Sequence, residues 1–237
     1  MGSKRSYGDA CRLAHALDVV GERWALLVVR ELMLGPKRFT DLRAGLPNVS
    51  SNVLAERLRE LEQGGVVRRH KLPPPAGSWV YELTDWGMRL EPVVTQLGAW
   101  GASSPQPPGE APIGADSIVL ALRSLFDPKA AGKLRATYEL RFEDGSFRVE
   151  VAKGKVELSR GTAAKPEVTI EADPGALAGL LTGQLSLDEA RRAGARIEGE
   201  KSAVVRFLDL FPMPEPCMSE ASNPLNGEDV HKAPVAV

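Results

Sequence analysis

Apolar residues recur along this chain at two different spacings, and the change of spacing divides it. In the first hundred residues they return every three or four positions, as helices require; between residues 136 and 172 they return every second position, as strands require. Residues 11–20 and 22–34 read as two helices separated by Gly21. The second, ERWALLVVRELML, is apolar on nearly every side and predicts a buried spine. Gly35-Pro36 ends it, because proline lacks an amide donor and biases the residue before it away from helical dihedrals. Phe39, Leu42 and Leu46 then predict a short amphipathic helix over 39–46, which Pro47 stops. After the turn Pro47-Asn48-Val49, Ser50 or Ser51 can accept the free amides of a further helix, in which Leu54, Leu58 and Leu61 share a face.

Gly64-Gly65 closes that helix, and VVRRHKL, the turn PPPAGS and WVYEL predict a two-stranded hairpin. Thr84 caps a last helix, DWGMRLEPVVTQLGAWG, with a kink expected near Pro92. Residues 102–115 have the Gly, Pro, Ser and Ala content of a linker. Beyond it, IVLALRSLF predicts a helix; ATYELRF, SFRVEVA and KVELSRG predict a meander with turns at Asp144-Gly145 and Lys153-Gly154; and PEVTIEA predicts a fourth strand. Helices at DPGALAGLLTG and LSLDEARRA, a strand at ARIEGE and a helix at KSAVVRFLDLF complete the pattern. The fold class expected is α+β in two domains: residues 1–101, helical with a hairpin, and residues 116–211, an antiparallel sheet covered by helices. The proline-rich segment 212–237 has no periodicity and predicts a disordered tail.

Charge adds direction to this outline. The whole chain of 237 residues carries a net charge of −1, yet residues 1–101 hold a net +3 and the remainder a net −4. The excess in the first half is too small to mark a nucleic-acid binder by itself, so its local arrangement decides. In the hairpin, Arg68, Arg69, His70 and Lys71 stand in a row, and no acidic residue occurs between Glu62 and Glu82, which predicts unopposed attraction to phosphates. In the preceding helix Asn52, Glu56, Arg59 and Gln63 lie opposite the leucines. Residues at the start of such a helix reach base edges in a major groove, and arginine pairs bidentately with guanine. The residues expected at DNA are therefore Arg38, Ser50, Ser51, Asn52, Arg57, Arg59, Arg68, Arg69, His70 and Lys71; taken alone, the helical subset is better explained as the solvated face of an ordinary surface helix, and it is the basic hairpin that shifts the reading to DNA. Helix, helix and basic hairpin in that order predict a winged helix-turn-helix on double-stranded operator DNA. Surplus apolar surface on the first and last helices of this half predicts a homodimer.

Other chemistry is sparse. Cys11 and Cys217 match no zinc spacing, and His15, His70 and His231 join no catalytic grouping, so neither metal, cofactor nor enzymatic activity is expected. Asp188-Glu189 reads as a helix start complementing the dipole. No apolar run approaches the ~18 residues of a membrane span, and MGSKRSYGDA lacks the apolar core of a signal peptide, which makes the cytoplasm the expected location.

The stretch from Cys11 to Arg69, with GERW at 21–24, RF-x-DL at 38–42, VLAERLRELE at 53–62 and YELTDWG at 81–87, resembles the HxlR-type winged-helix regulators. The resemblance implies a homodimer on operator DNA, acting as repressor or activator near its own or neighbouring genes, and a thiol-sensing role for Cys11, whose position before a helix favours thiolate; a small residue buried at a helix start is the plainer account of it. The stretch EVTIEADPGALAGLLTGQLSLDEARRAGARIEGEKSAVVRFLDLF resembles the sterol-carrier-protein-like domains. That implies a cavity for a hydrophobic small-molecule effector lined by Leu177, Leu180, Leu181, Leu185, Phe207 and Leu210, although ordinary core is the plainer account of each of these residues taken singly. Two further classes are open at this level: a lipid carrier whose winged helix serves protein contacts, and an enzyme acting on a small substrate in the cavity.

Overall fold

A computed structural model describes residues 6–105, 111–215 and 217; most of the predicted disordered tail and part of the predicted linker lie outside them. The first half forms α1 (Arg12–Val20), α2 (Ala25–Leu32), α3 (Phe39–Gly45), α4 (Ser51–Gln63), β1 (Val67–Lys71), β2 (Trp79–Leu83), α5 (Asp85–Met88) and α6 (Glu91–Ala102). The spine expected from residue 22 starts at Ala25, because Trp24 stands before it with φ 78°, a left-handed conformation that a helix interior does not accept. From there Val28, Val29 and Leu32 meet Leu42 of α3, Leu54, Leu58 and Leu61 of α4, and Val66 and Val67 at the start of the hairpin. Ser50 caps α4, its hydroxyl accepting from Val53 N at 3.3 Å. The last helix is broken as Pro92 requires: α5 is a single turn, and α6 begins with the proline in its first turn.

Thr84 and Gly87 clamp α5 to the root of the hairpin. The Thr84 hydroxyl donates to Gly65 O at 2.7 Å and accepts from Gly87 N at 3.0 Å. A Cβ at Gly87 would lie 2.1 Å from Val66 O, so the helix approaches this carbonyl only because residue 87 has no side chain. Gly87→Ala is expected to lower stability by about 1–3 kcal/mol, read as a lower urea midpoint with an unchanged slope.

The second half forms α7 (Ala115–Leu125), α8 (Pro128–Ala131), β3 (Ala136–Phe142), β4 (Gly145–Ala152), β5 (Lys155–Arg160), β6 (Val168–Glu171), α9 (Pro174–Leu181), α10 (Leu187–Arg192), β7 (Arg196–Gly199) and α11 (Lys201–Asp209). Its five strands are ordered β5-β4-β3-β6-β7. The sheet is mixed, not wholly antiparallel: β6 pairs parallel to β3, while the other neighbours are antiparallel. The meander already occupies one edge of β3, so the chain leaving β5 returns past the sheet end to the vacant edge. Glu139 of β3 pins that return, its carboxylate accepting from Ala163 N at 2.8 Å and from Arg141 Nε at 2.6 Å. Burial opposes ionisation of Glu139, but the Arg141 guanidinium and the Ala163 amide outweigh it and hold the carboxyl below its usual range. Alternate strand residues, Tyr138, Leu140, Phe147, Val149 and Val151, point into a core closed by α7, α9 and α11.

Helix α7 belongs to both halves. Its Ile118, Val119 and Leu122 bury in the sheet core, whereas Leu120 buries in the winged-helix core, and Leu34 packs against both. Among the described residues no helix is long and apolar enough to cross a membrane.

Candidate nucleic-acid interface

The leucine face of α4 is buried against α2 and the hairpin root, which turns the opposite face outward. Asn52, Glu56, Arg59 and Gln63 are exposed, Ser50 is exposed at the cap, and Ser51 is half-buried in the first turn. Arg38 is exposed at the start of α3, where Asp41 accepts its backbone N–H at 3.2 Å. Arg57 differs from the rest. It is only 7% exposed, because it projects one position before Leu58 on the packed side; it pairs with Glu60 and lies 3.8 Å from Glu22. This corrects its inclusion among the DNA-facing residues.

The hairpin register sets Arg68 opposite Glu82, Arg69 opposite Tyr81, His70 opposite Val80 and Lys71 opposite Trp79. Its cations are thus not unopposed, as the stretch between Glu62 and Glu82 suggested. Glu82 lies across the strand, with one oxygen 2.5 Å from Arg68 Nε and 3.4 Å from His70 Nδ1. Arg69 lies against rings instead: its guanidinium is 4.7 Å from the Trp79 centroid and 5.8 Å from that of Tyr81. Such stacking fixes a long side chain while leaving its charge available. Lys71 is exposed at the strand end. The wing therefore carries one charge balanced by Glu82, one held on aromatics and one free to move in solvent. Sequence reasoning missed Glu82, Trp79 and Tyr81 in these roles; counting outward symmetrically from the 72–78 turn would have found all three.

On the other faces, α6 buries no residue and α1 buries only Val20. Val93, Leu97 and Trp100 recur at helical spacing on α6 and are exposed, Trp100 by 75%; Leu13 and Leu17 do the same on α1. Cys11 is the exposed N-cap of α1. Its thiol closes no capping hydrogen bond, but the amides of Ala14 and then Leu13 favour the thiolate and hold its pKa below the usual thiol value.

In the second half, Leu177, Leu181, Phe207 and Leu210 lie in the packed sheet core. Leu180 belongs to a smaller cluster with Ala190 and Ala195, and Leu185 is half-buried. A cleft of about 710 Å³ lies elsewhere, at the sheet end beside the starts of α7 and α9. Arg141, Glu143, Asp144, Glu171 and Asp173 are among its lining, and none of the six predicted lining residues borders it.

A helix-turn-helix with a basic wing, joined to a helix-covered sheet, defines a two-part DNA-binding regulator. The chain belongs to the HxlR-like helix-turn-helix family, whose model matches residues 19–107, and a sterol carrier protein domain matches residues 134–219. It is 42% identical over 89 residues to the HTH-type transcriptional regulator YvaP of Bacillus subtilis, a match that spans 38% of this chain and 82% of that one. It is 39% identical over 89 residues to the HTH-type regulator YodB of the same organism, spanning 38% and 80%. Among solved structures, quinone-bound YodB matches at 37% identity over 38% of this chain and 93% of its own, with a TM-score of 0.33. The redox regulator HypR in its oxidised form matches at 34% identity over 40% and 99%, with a TM-score of 0.38.

Proposed function

We propose that this protein is a homodimeric, sequence-specific DNA-binding transcriptional regulator acting in the cytoplasm. The observation that carries the proposal is the pairing of an outward polar face on α4 with a wing whose cations sit on the adjacent hairpin. Ser51, Asn52 and Arg59 enter the major groove and read bases, Arg38 and Ser50 approach the backbone, and Arg68, Arg69, His70 and Lys71 contact phosphates. The unburied faces of α1 and α6 cover one another across a two-fold axis, which sets the spacing of two recognition helices. Footprinting on the DNA upstream of the protein's own gene tests this: two protected half-sites about 10 base pairs apart, or a multiple of that, are expected. A single protected half-site, or none, contradicts it.

The sterol carrier match supports a hydrophobic small-molecule effector as a second element of this reading. Such a ligand has to open the packing of Leu177, Leu181, Phe207 and Leu210, with Leu180 and Leu185 beside it. A third element is oxidant sensing at Cys11, supported by its exposure and the lowered thiol pKa; Cys11 lies outside the 19–107 match, so its own geometry carries the idea. Cys11→Ser is expected to abolish the change in DNA affinity caused by a thiol oxidant such as diamide. An unchanged oxidant response in that variant removes the sensor from the account.

A further inference from the structure

Glu31 and Asp116, two deeply buried carboxylates from opposite sides of the linker, meet on one ammonium. Lys37 Nζ donates to Glu31 Oε2 at 2.5 Å and also pairs with Asp116 Oδ2. Glu31 is 1% exposed, Asp116 6% and Lys37 8%. Behind Glu31 stands Arg30, 2.8 Å from Oε1; behind Asp116 stands Arg160, whose Nη2 reaches the two carboxylate oxygens at 2.5 and 2.6 Å. Gly45, the last residue of α3, makes room for this chain of charges: a Cβ there would lie 2.2 Å from Glu31 Oε2.

Lys37 is also a rung of the wing. Its backbone N–H donates to Tyr81 O at 3.0 Å, and Tyr81 N–H donates to Lys37 O at 2.8 Å. Tyr81 is the residue opposite Arg69, and its ring lies beside the Arg69 guanidinium. One residue thus ties Asp116 of α7 to the middle of β2. We infer that Lys37 and Asp116 are positioning residues that couple the sterol-carrier-like domain to the DNA-facing wing. Docking of α7 holds Lys37, and Lys37 holds β2. The regulatory consequence rests on the DNA reading of the wing; the mechanical coupling does not.

The charges are distributed so that this junction can open. Separation at Lys37–Asp116 leaves Lys37 with Glu31, and Asp116 with Arg160, so neither side retains a buried charge without a partner. Stranding a single buried charge is what makes the loss of an ion pair severe, and here that penalty is absent. The apolar side of the junction favours docking, since Leu120 buries in the winged-helix core from a helix whose Ile118, Val119 and Leu122 bury against the sheet. A ligand or partner that shifts α7 on the sheet therefore acts on Lys37 and through it on the wing. For such a shift to alter operator affinity, the ligand must favour one position of α7 over the other.

Amide hydrogen exchange on the full chain tests the coupling without DNA. In Asp116→Asn, the amides of Lys37 and Tyr81 are expected to exchange about tenfold faster or more, while those of Leu58 and Leu61 in α4 keep their wild-type rates. Arg123→Gln, which removes the α6–α7 pair of Arg123 with Glu91 and leaves Lys37 untouched, should change the Lys37 and Tyr81 amides by less than about twofold. Lys37→Met is the second variant should Asp116→Asn not fold: it leaves Arg30 with Glu31 and Arg160 with Asp116, and the Tyr81 amide should accelerate as before. Unchanged protection of Tyr81 in a folded Asp116→Asn or Lys37→Met protein overturns the coupling, as does equal acceleration in Arg123→Gln. A wild-type protein that fails to bind DNA would sink the DNA reading and leave these exchange results standing.

Discussion

Replacing Leu97 and Trp100 together by glutamate is expected to convert the protein to a monomer and to lower its affinity for a two-fold operator at least about 100-fold. Both side chains are exposed, Leu97 by 47% and Trp100 by 75%, so the substitutions remove nothing from either core. They lie three residues apart on the face that also carries Val93, whereas α6 meets the rest of the chain through its other side, where Val94 is half-buried against the winged-helix core. Exposed apolar residues scattered singly are ordinary, but an exposed stripe at helical spacing, on a helix whose opposite side already packs on the winged-helix core through Val94, marks an association surface. Sedimentation velocity reads the change of mass and circular dichroism confirms that the fold is kept. A double variant that stays dimeric would move the interface elsewhere on the molecule.

The second large effect separates reading from positioning. Asn52→Ala and Arg59→Ala should each lower operator affinity about 10- to 100-fold while leaving binding to unrelated duplex nearly unchanged, because a base contact carries about 1–3 kcal/mol of discrimination. Arg69→Ala and Lys71→Ala should weaken binding to every duplex alike and reduce the salt slope by about 1 each. The structure orders the wing residues further. Arg68 is already balanced by Glu82 at 2.5 Å, so Arg68→Ala should cost less than Arg69→Ala, and Glu82→Gln should strengthen binding to all DNA. Titrations of each variant against operator and scrambled duplexes decide this; uniform losses from both sets would dissolve the division.

The sequence made the winged half legible because its signals are local. Pro36 and Pro47 mark the ends of segments, Pro92 marks the break between α5 and α6, Ser50 and Thr84 mark starts, and the leucine spacing in α4 gives its buried face. The parallel pairing of β6 with β3 was not legible, since alternation fixes which face a strand buries and says nothing of which neighbour it takes. Arg57 was misplaced because a cation on a polar helix looks outward until the packing angle of that helix is known. Glu82 was hidden by the triple proline, which obscured the register of the hairpin. Lys37 had no signal at all: between Pro36 and Arg38 it reads as a loop cation, and Asp116 reads as an acidic residue at a helix start. Only the docking of α7 on both cores brings them together.

The most direct test of the account is a fluorescence anisotropy titration of the full chain on the duplex upstream of its own gene and on a scrambled duplex, over a series of salt concentrations. Binding to the upstream duplex is expected to be about 1,000-fold or more tighter than to the scrambled one, with both affinities falling steeply as salt rises. Equal affinity for the two duplexes, or no binding to either at moderate salt, would contradict it.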